Sequence, residues 1–186
     1  MLPEIVKTAA SIFENKIAVD CENGFSLSYK DLDIISDDVS GALLKRGLKE
    51  GSIVLLSLPT SVEYLIVYIA ASKIGAITAG VNPRLQALER KSIFEITEPD
   101  LVISTTELLD GIPSDAYIEV IELAESREKL LSGLLDNSFS PEKLVENLDR
   151  PVCVCFNKYA HGPPTDRSRT GTLTQGTVAA TRTPRK

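Results

Sequence analysis

Few residues in this sequence could carry out chemistry on their own. The single histidine, His161, lies in a polar stretch with no serine or cysteine in an elbow-like setting. A nucleophile–imidazole–carboxylate relay needs that partner within hydrogen-bond reach, so no triad is supported. Three cysteines, Cys21, Cys153 and Cys155, are too few and too odd in number for a disulfide framework. With one histidine beside them, a His/Cys metal site is not expected, and reduced thiols are. No strand is followed by Gly-x-Gly-x-x-Gly, so a dinucleotide site has no support. The run from Gly171 to Gly176-Thr177 has the glycine spacing of a phosphate loop but lacks its lysine. Asp37, Asp38 and Glu63 read as solvated carboxylates on helix surfaces, and Tyr64 and Tyr68 as core residues one turn apart. Arg84 is the best-placed cation. It follows Asn82-Pro83 just past the end of a predicted strand, where open α/β sheets bind ligands. Spacing and composition assign no residue a catalytic, cofactor-binding or metal-ligating role.

The elements that would position these residues alternate between helical and strand patterns. Residues 2–14 repeat apolar side chains at helical spacing. Two short strands follow over Lys16–Cys21 and Phe25–Tyr29, with Asn23-Gly24 as a hairpin turn. Ser28 and Asp31 form a capping-box pattern that opens a helix ending at Gly47. Ile53–Leu58 is a continuous apolar run, as in a strand buried on both faces. A helix over 61–74, a strand over Ile77–Val81 and a helix over roughly 86–97 come next. Strands at 101–103 and 117–123 follow, then polar helix and loop over 124–149, then a strand over Pro151–Phe156. Strand–helix alternation of this kind predicts an α/β fold: a mostly parallel sheet flanked by helices.

Composition agrees. The chain has 186 residues, 43% of them hydrophobic and 25% charged, enough for one domain with a core. The apolar stretch Val62 to Val81 contains Glu63, Lys73 and Gly75, and reads as helix plus strand rather than a membrane span. No secretory signal is evident at residues 1–20, so a cytoplasmic location is expected. The net charge of −6 is unevenly divided. After Phe156, six basic residues face Asp166 alone, a net +5 that leaves −11 on residues 1–156. A short basic tail on so acidic a body does not predict a nucleic-acid partner.

Three strings, taken in order, resemble the adenylate-forming acyl-CoA ligases, the family of fatty acyl-CoA synthetases, 4-coumarate–CoA ligases and luciferases. Phe25-Ser-Leu-Ser-Tyr-Lys-Asp-Leu32 resembles the family's T-Y-x-E-L opening. Leu48-Lys-Glu-Gly-Ser-Ile-Val-Leu-Leu-Ser-Leu-Pro59 is similar to its G-D-x-V strand. Ala71-Ser-Lys-Ile-Gly-Ala-Ile through Val81-Asn-Pro-Arg-Leu85 is similar to A-x-x-K-x-G-A followed by N-P. The resemblance covers about residues 1–156 and implies the N-terminal subdomain of that fold. It also implies ATP-dependent conversion of a carboxylic acid, foremost a fatty acid, to an acyl-adenylate and transfer to coenzyme A, with ATP, Mg and coenzyme A as cofactors of the full-length enzyme.

The family's phosphate loop, T-S-G-T-T-G-x-P-K-G, directly follows a strand like Pro151–Phe156. Here the chain continues Asn157-Lys-Tyr-Ala-His-Gly-Pro-Pro-Thr-Asp166, without that loop's glycines, hydroxyls and lysine in the order that cradles phosphates. Residues 157–186 are therefore expected to be a disordered basic tail. Read one base later, codons permitted for Asn157-Lys-Tyr give Thr-Ser. Those for His161-Gly-Pro-Pro-Thr give Thr-Gly-Leu-Pro, and those for Arg167-Ser-Arg-Thr give Gly-Ala-Val-Leu. All three fit the family at one offset, which predicts a frameshift after Phe156. The expectation is a truncated ligase, inactive alone and binding no cofactor, or else a non-catalytic module that associates with ligase subunits. Apolar surface left exposed by truncation would favour self-association.

Overall fold

The computed structural model describes residues 2–22, 24–135, 141, 144, 147 and 150–154. Helix α1 (Leu2–Phe13) buries Val6 and Ala10 against the helices that follow it. Strands β1 (Ile17–Asp20) and β2 (Ser26–Ser28) form the antiparallel pair, with Asp20 opposite Ser26. Both are shorter than the apolar pattern suggests, and β2 ends at Ser28 because Tyr29 belongs to the next helix. Asn23 lies outside the described residues.

Helix α2 (Tyr29–Lys45) begins at the capping box seen in the sequence. Ser28 Oγ accepts from the Asp31 N–H at 3.1 Å, and the Asp31 carboxylate accepts from the Ser28 N–H at 3.0 Å. Two otherwise orphaned donors are thereby satisfied. Gly47 follows the helix with φ +84°, a left-handed turn that residues bearing a Cβ resist.

Five strands make the main sheet: β3 (Ile53–Ser57), β4 (Ile77–Gly80), β5 (Leu101–Ser104), β6 (Ile118–Val120) and β7 (Cys153–Val154). All neighbours are parallel, in the order β6-β5-β3-β4-β7. Helix α3 (Val62–Lys73) joins β3 to β4. Helix α4 (Ala87–Thr97) carries the chain back across β3 to β5. Right-handed crossovers running in opposite directions place their helices on opposite faces. The core divides in the same way. Val54, Leu56, Leu101 and Ile103 pack with α2 and α3, whereas Leu55, Ala79 and Val102 pack with Ile93 of α4. Strands β3 and β5 thus send alternate side chains into two cores, which is why β3 is buried at every position.

The segment expected as polar helix and loop is different where it is described. Residues 124–135 contain a single 3₁₀ turn, Arg127–Lys129, and then a hydrophobic plug. Leu130, Leu131 and Leu134 are each nearly inaccessible and join the α2–α3 core. Leu131 takes φ +51° to do so. The leucines follow a charged run, Glu125 to Lys129, and are split by Ser132-Gly133, so neither a helical nor a strand period shows. Polar ties then fix the segment. Arg46 Nη2 donates to the Gly133 carbonyl at 3.2 Å, and the Arg127 guanidinium pairs with Asp31.

No helix among the described residues is long and apolar enough to cross a membrane. The Val62–Val81 stretch is α3 followed by β4, as its interruptions suggested.

Candidate functional site

Strand β4 and its edge neighbour β7 end beside the N-terminal half of α3. Their register sets Thr78 opposite Cys153 and Ala79 opposite Val154. An open cleft of about 740 Å³ lies there, lined on the sheet side by Thr78, Gly80 and Cys153 and on the helix side by Tyr64 and Tyr68. Ser61 caps α3 by accepting from the Tyr64 N–H at 3.3 Å, so the cap fixes the turn that carries the first tyrosine.

Gly80 sets the depth of this cleft. A Cβ built on it would lie 2.5 Å from the Tyr64 hydroxyl, well inside contact distance. The missing side chain is what lets the phenol lie against β4. Tyr64 and Tyr68 therefore do two things: they pack on the α2–α3 core, as expected, and they wall the cleft.

Beyond β4 the chain turns sharply. The Asn82 side chain accepts from the Arg84 N–H at 2.9 Å, and the Leu85 N–H donates to the Asn82 carbonyl at 3.0 Å. Arg84, singled out from its position after β4, lines the cleft mouth and is exposed. From behind, the buried Arg90 donates through Nη2 to the Leu85 carbonyl at 2.7 Å and through Nε at 3.1 Å. The turn is held on both sides.

The crevice between β3 and β5, where the connections reverse direction, is the other place an open sheet offers a ligand. It is filled. Ser57 Oγ donates to the Leu108 carbonyl at 3.0 Å, and the 3₁₀ turn Thr106–Leu108 sits over the strand ends.

Of the carboxylates read as solvated, Glu63 is buried and Asp37, though partly exposed, is held in an ion pair. Glu63 is 1% exposed and accepts from the Ala124 N–H at 2.8 Å. Asp37 accepts from Lys73 Nζ at 2.6 Å, and Asp33 accepts from the same atom at 2.7 Å. An acidic residue inside an apolar helical run was the signal for Glu63, because such a helix is buried nearly all round. Its partner, a backbone N–H 61 residues away, carries no signal.

Cys21 is a free thiol away from the cleft lining. Burial pushes its pKa up, and the negative charges of Glu63 and Asp20 push it the same way, so it stays protonated and weakly nucleophilic. Cys153 lines the cleft. Cys155, His161 and the Gly171–Thr177 run lie outside the described residues. The described cleft lining presents no carboxylate, and no group of three His, Cys, Asp or Glu able to hold a metal ion occurs among the described residues. This lining does not fit a magnesium ion, and no chemical step is assigned to one.

Sheet order, two-faced core and cleft together define an open parallel α/β domain with an accessible cavity at the carboxyl ends of strands β4 and β7. Residues 6–161 match the family described as AMP-binding enzyme, and the chain belongs to that family. It is 27% identical over 150 residues to 4-coumarate–CoA ligase 5 of Oryza sativa subsp. japonica, covering 78% of this chain and 28% of that protein. It is 29% identical over 148 residues to 4-chlorobenzoate–CoA ligase of Arthrobacter sp, with 78% and 28% covered. The solved N-terminal subdomain of NpsA from Klebsiella oxytoca has the same fold, with a TM-score of 0.71 at 19% identity over 86% of this chain and 39% of that one. The chain thus spans a little over a quarter of the curated relatives' length.

Proposed function

We propose that this chain carries the N-terminal part of an adenylate-forming acyl-CoA ligase. The whole-protein reaction is ATP-dependent activation of a carboxylic acid to an acyl-adenylate, followed by transfer to coenzyme A. The observation that carries the reading is β7, held in parallel register beside β4. In the family resemblance the phosphate loop begins just beyond this strand, and here the chain continues Asn157-Lys-Tyr-Ala-His-Gly-Pro-Pro-Thr-Asp166. A backbone cradle for phosphate needs several glycines and hydroxyls in the loop's order, and this stretch has one glycine, Gly162, followed by two prolines. Residues 1–186 alone are therefore read as inactive, in a cytoplasmic setting. The names of the relatives widen the acid from a fatty acid to carboxylic acids generally.

Residues 157–186 are read as translated out of frame. The family match extends to 161 and goes no further. Sequencing the gene across the Phe156 and Asn157 codons tests this. A ligase frame resuming one base away supports it, and a single open frame with nothing ligase-like in the next overturns it. Acid-dependent ATP–pyrophosphate exchange by residues 1–186 would overturn the inactivity.

The second reading is a non-catalytic module that associates with ligase subunits or with itself. Among the described residues β7 pairs with β4 alone, which leaves one strand edge open to a partner. Leu88 and Ile96 on α4 add exposed apolar surface. Sedimentation that ends in a defined oligomer or a defined complex favours this reading, and a monomer at all concentrations removes it.

A further inference from the structure

We propose that the outer edge of β6 is a docking site for an extended, lysine- or arginine-bearing segment of a partner protein, which adds to the sheet as a further strand. This inference does not rest on the ligase reading, and it concerns the end of the sheet opposite β7.

The main chain makes the site. In the parallel register of β5 and β6, the Tyr117 carbonyl accepts from the Val102 N–H at 2.9 Å, and the Ile121 N–H donates to the Ser104 carbonyl at 2.9 Å. Odd-numbered residues therefore spend their main-chain groups on β5, and Ile118 and Val120 turn theirs outward. Among the described residues β6 pairs with β5 alone. Val120 is 49% exposed, and Tyr117 and Leu123 are open to a similar extent. An uncovered edge carrying apolar side chains is a template for another strand: main-chain hydrogen bonds hold it, and alternate side chains select it.

Charge decides which strand. Residues 92–126 contain nine Asp or Glu and no Lys or Arg, so most of the fold's excess negative charge gathers on the stretch that builds β5 and β6. Asp115 and Glu122 bracket β6; both are exposed, and neither meets a cation among the described residues. Glu119, on the strand itself, is already taken by Arg46 at 2.6 Å.

The same charge argues against a second copy of this chain. Sheet edges are commonly blunted by lysine or proline, and Tyr117–Leu123 has neither. Its acids act instead against self-pairing. Two β6 strands laid antiparallel would bring Glu122 of each copy near Asp115 of the other, and like charges across strands destabilise the pair. A lysine or arginine arriving at either end meets the opposite sign, which speeds encounter and fixes register.

Short dye-labelled peptides test this on the 186-residue chain. One alternates lysine and valine, and its counterpart alternates glutamate and valine. The lysine peptide is expected to bind saturably, about tenfold tighter than the glutamate peptide, the worth of a few exposed ion pairs together. Its affinity should fall as salt is raised. Amide exchange locates the contact: Ile118 and Val120 exchange fast in the free chain and slow when the peptide binds. Val120→Pro removes an outward N–H that β5 does not use, and should weaken the lysine peptide at least about threefold by the loss of one hydrogen bond. Glu122→Lys changes an exposed residue and keeps the test open if the proline variant fails to fold; it should weaken the lysine peptide and strengthen the glutamate one. Equal binding of the two peptides, no binding, or binding that neither variant alters overturns the proposal. So does slow exchange at Ile118 and Val120 in the free chain, which would mean that this chain or a second copy already occupies the edge. Pyrophosphate exchange reads the ligase proposal separately, so failure of one is distinguishable from failure of the other.

Discussion

Lys73, at the end of α3, reaches Asp37 on α2 with Nζ 2.6 Å from the carboxylate, and its own side chain is 6% exposed. Asp33 shares the same ammonium through its carboxylate at 2.7 Å and its carbonyl at 2.8 Å. One buried cation therefore joins the two helices that roof the sheet. Lys73→Met removes the cation and leaves two carboxylates facing each other. Both carboxylates keep some contact with water, so the loss should be about 2 kcal/mol, below the cost of breaking a fully buried pair. Asp37→Asn should cost less, since Asp33 remains. Urea unfolding midpoints compare the three proteins.

Glu63 answers a different need. Its buried carboxylate satisfies the Ala124 N–H, which anchors the segment that delivers Leu130, Leu131 and Leu134. Glu63→Ala strands that donor and should destabilise the fold by about 1–3 kcal/mol. Glu63→Gln keeps an acceptor and should cost less. Amide exchange at Ala124 reads the effect directly: faster in the alanine variant, near normal in the glutamine variant.

Leu134 tests the plug itself. It is 1% exposed within the α2–α3 core. Leu134→Ala should cost about 3 kcal/mol through lost burial and a cavity. Leu88, 79% exposed on α4, is the control, and Leu88→Ala should fall within about 0.5 kcal/mol of the parent. Equal losses at the two sites would contradict the packing described.

Asp31 gives the fold a pH dependence. Burial acts to raise its carboxyl, but hydrogen bonds from Ser28 and the Arg127 guanidinium outweigh it and hold the pKa below the ordinary 3.8. The folded value lies under the unfolded one, so the unfolded chain takes the proton first as pH falls. The stabilisation is whole above about pH 4 and disappears as pH drops through the folded value. Asp31→Ala should cost about 1 kcal/mol at pH 7, the usual worth of a helix cap. In acid the variant and the parent should converge. Thermal unfolding at a series of pH values checks both.

Much of this architecture was legible in the sequence because local rules govern it. Ser28 and Asp31 announce their helix, since both partners of the capping box lie within one turn. Ile53–Ser57 announces a buried strand, since five apolar or small residues in a row suit a sheet covered on both faces. The burial of Glu63 and the ion pair of Asp37 were missed for the opposite reason. Their partners, Ala124 and Lys73, are distant in sequence, and no local pattern reports them. The cleft was half legible: Arg84 stood out by its place after a strand, whereas the role of Gly80 appears only once Tyr64 is set against it.

By itself, then, the sequence determined the order and type of the helices and strands through β6, the parallel α/β class and the family resemblance, because hydrophobic period, caps and short motifs act over a few residues. Tertiary structure alone decided the strand order β6-β5-β3-β4-β7, the burial of Glu63 and Lys73, the leucine plug, and which sheet-end crevice is filled and which is open. Those outcomes depend on which distant surfaces meet, and contact between residues tens of positions apart is settled by packing the whole core at once.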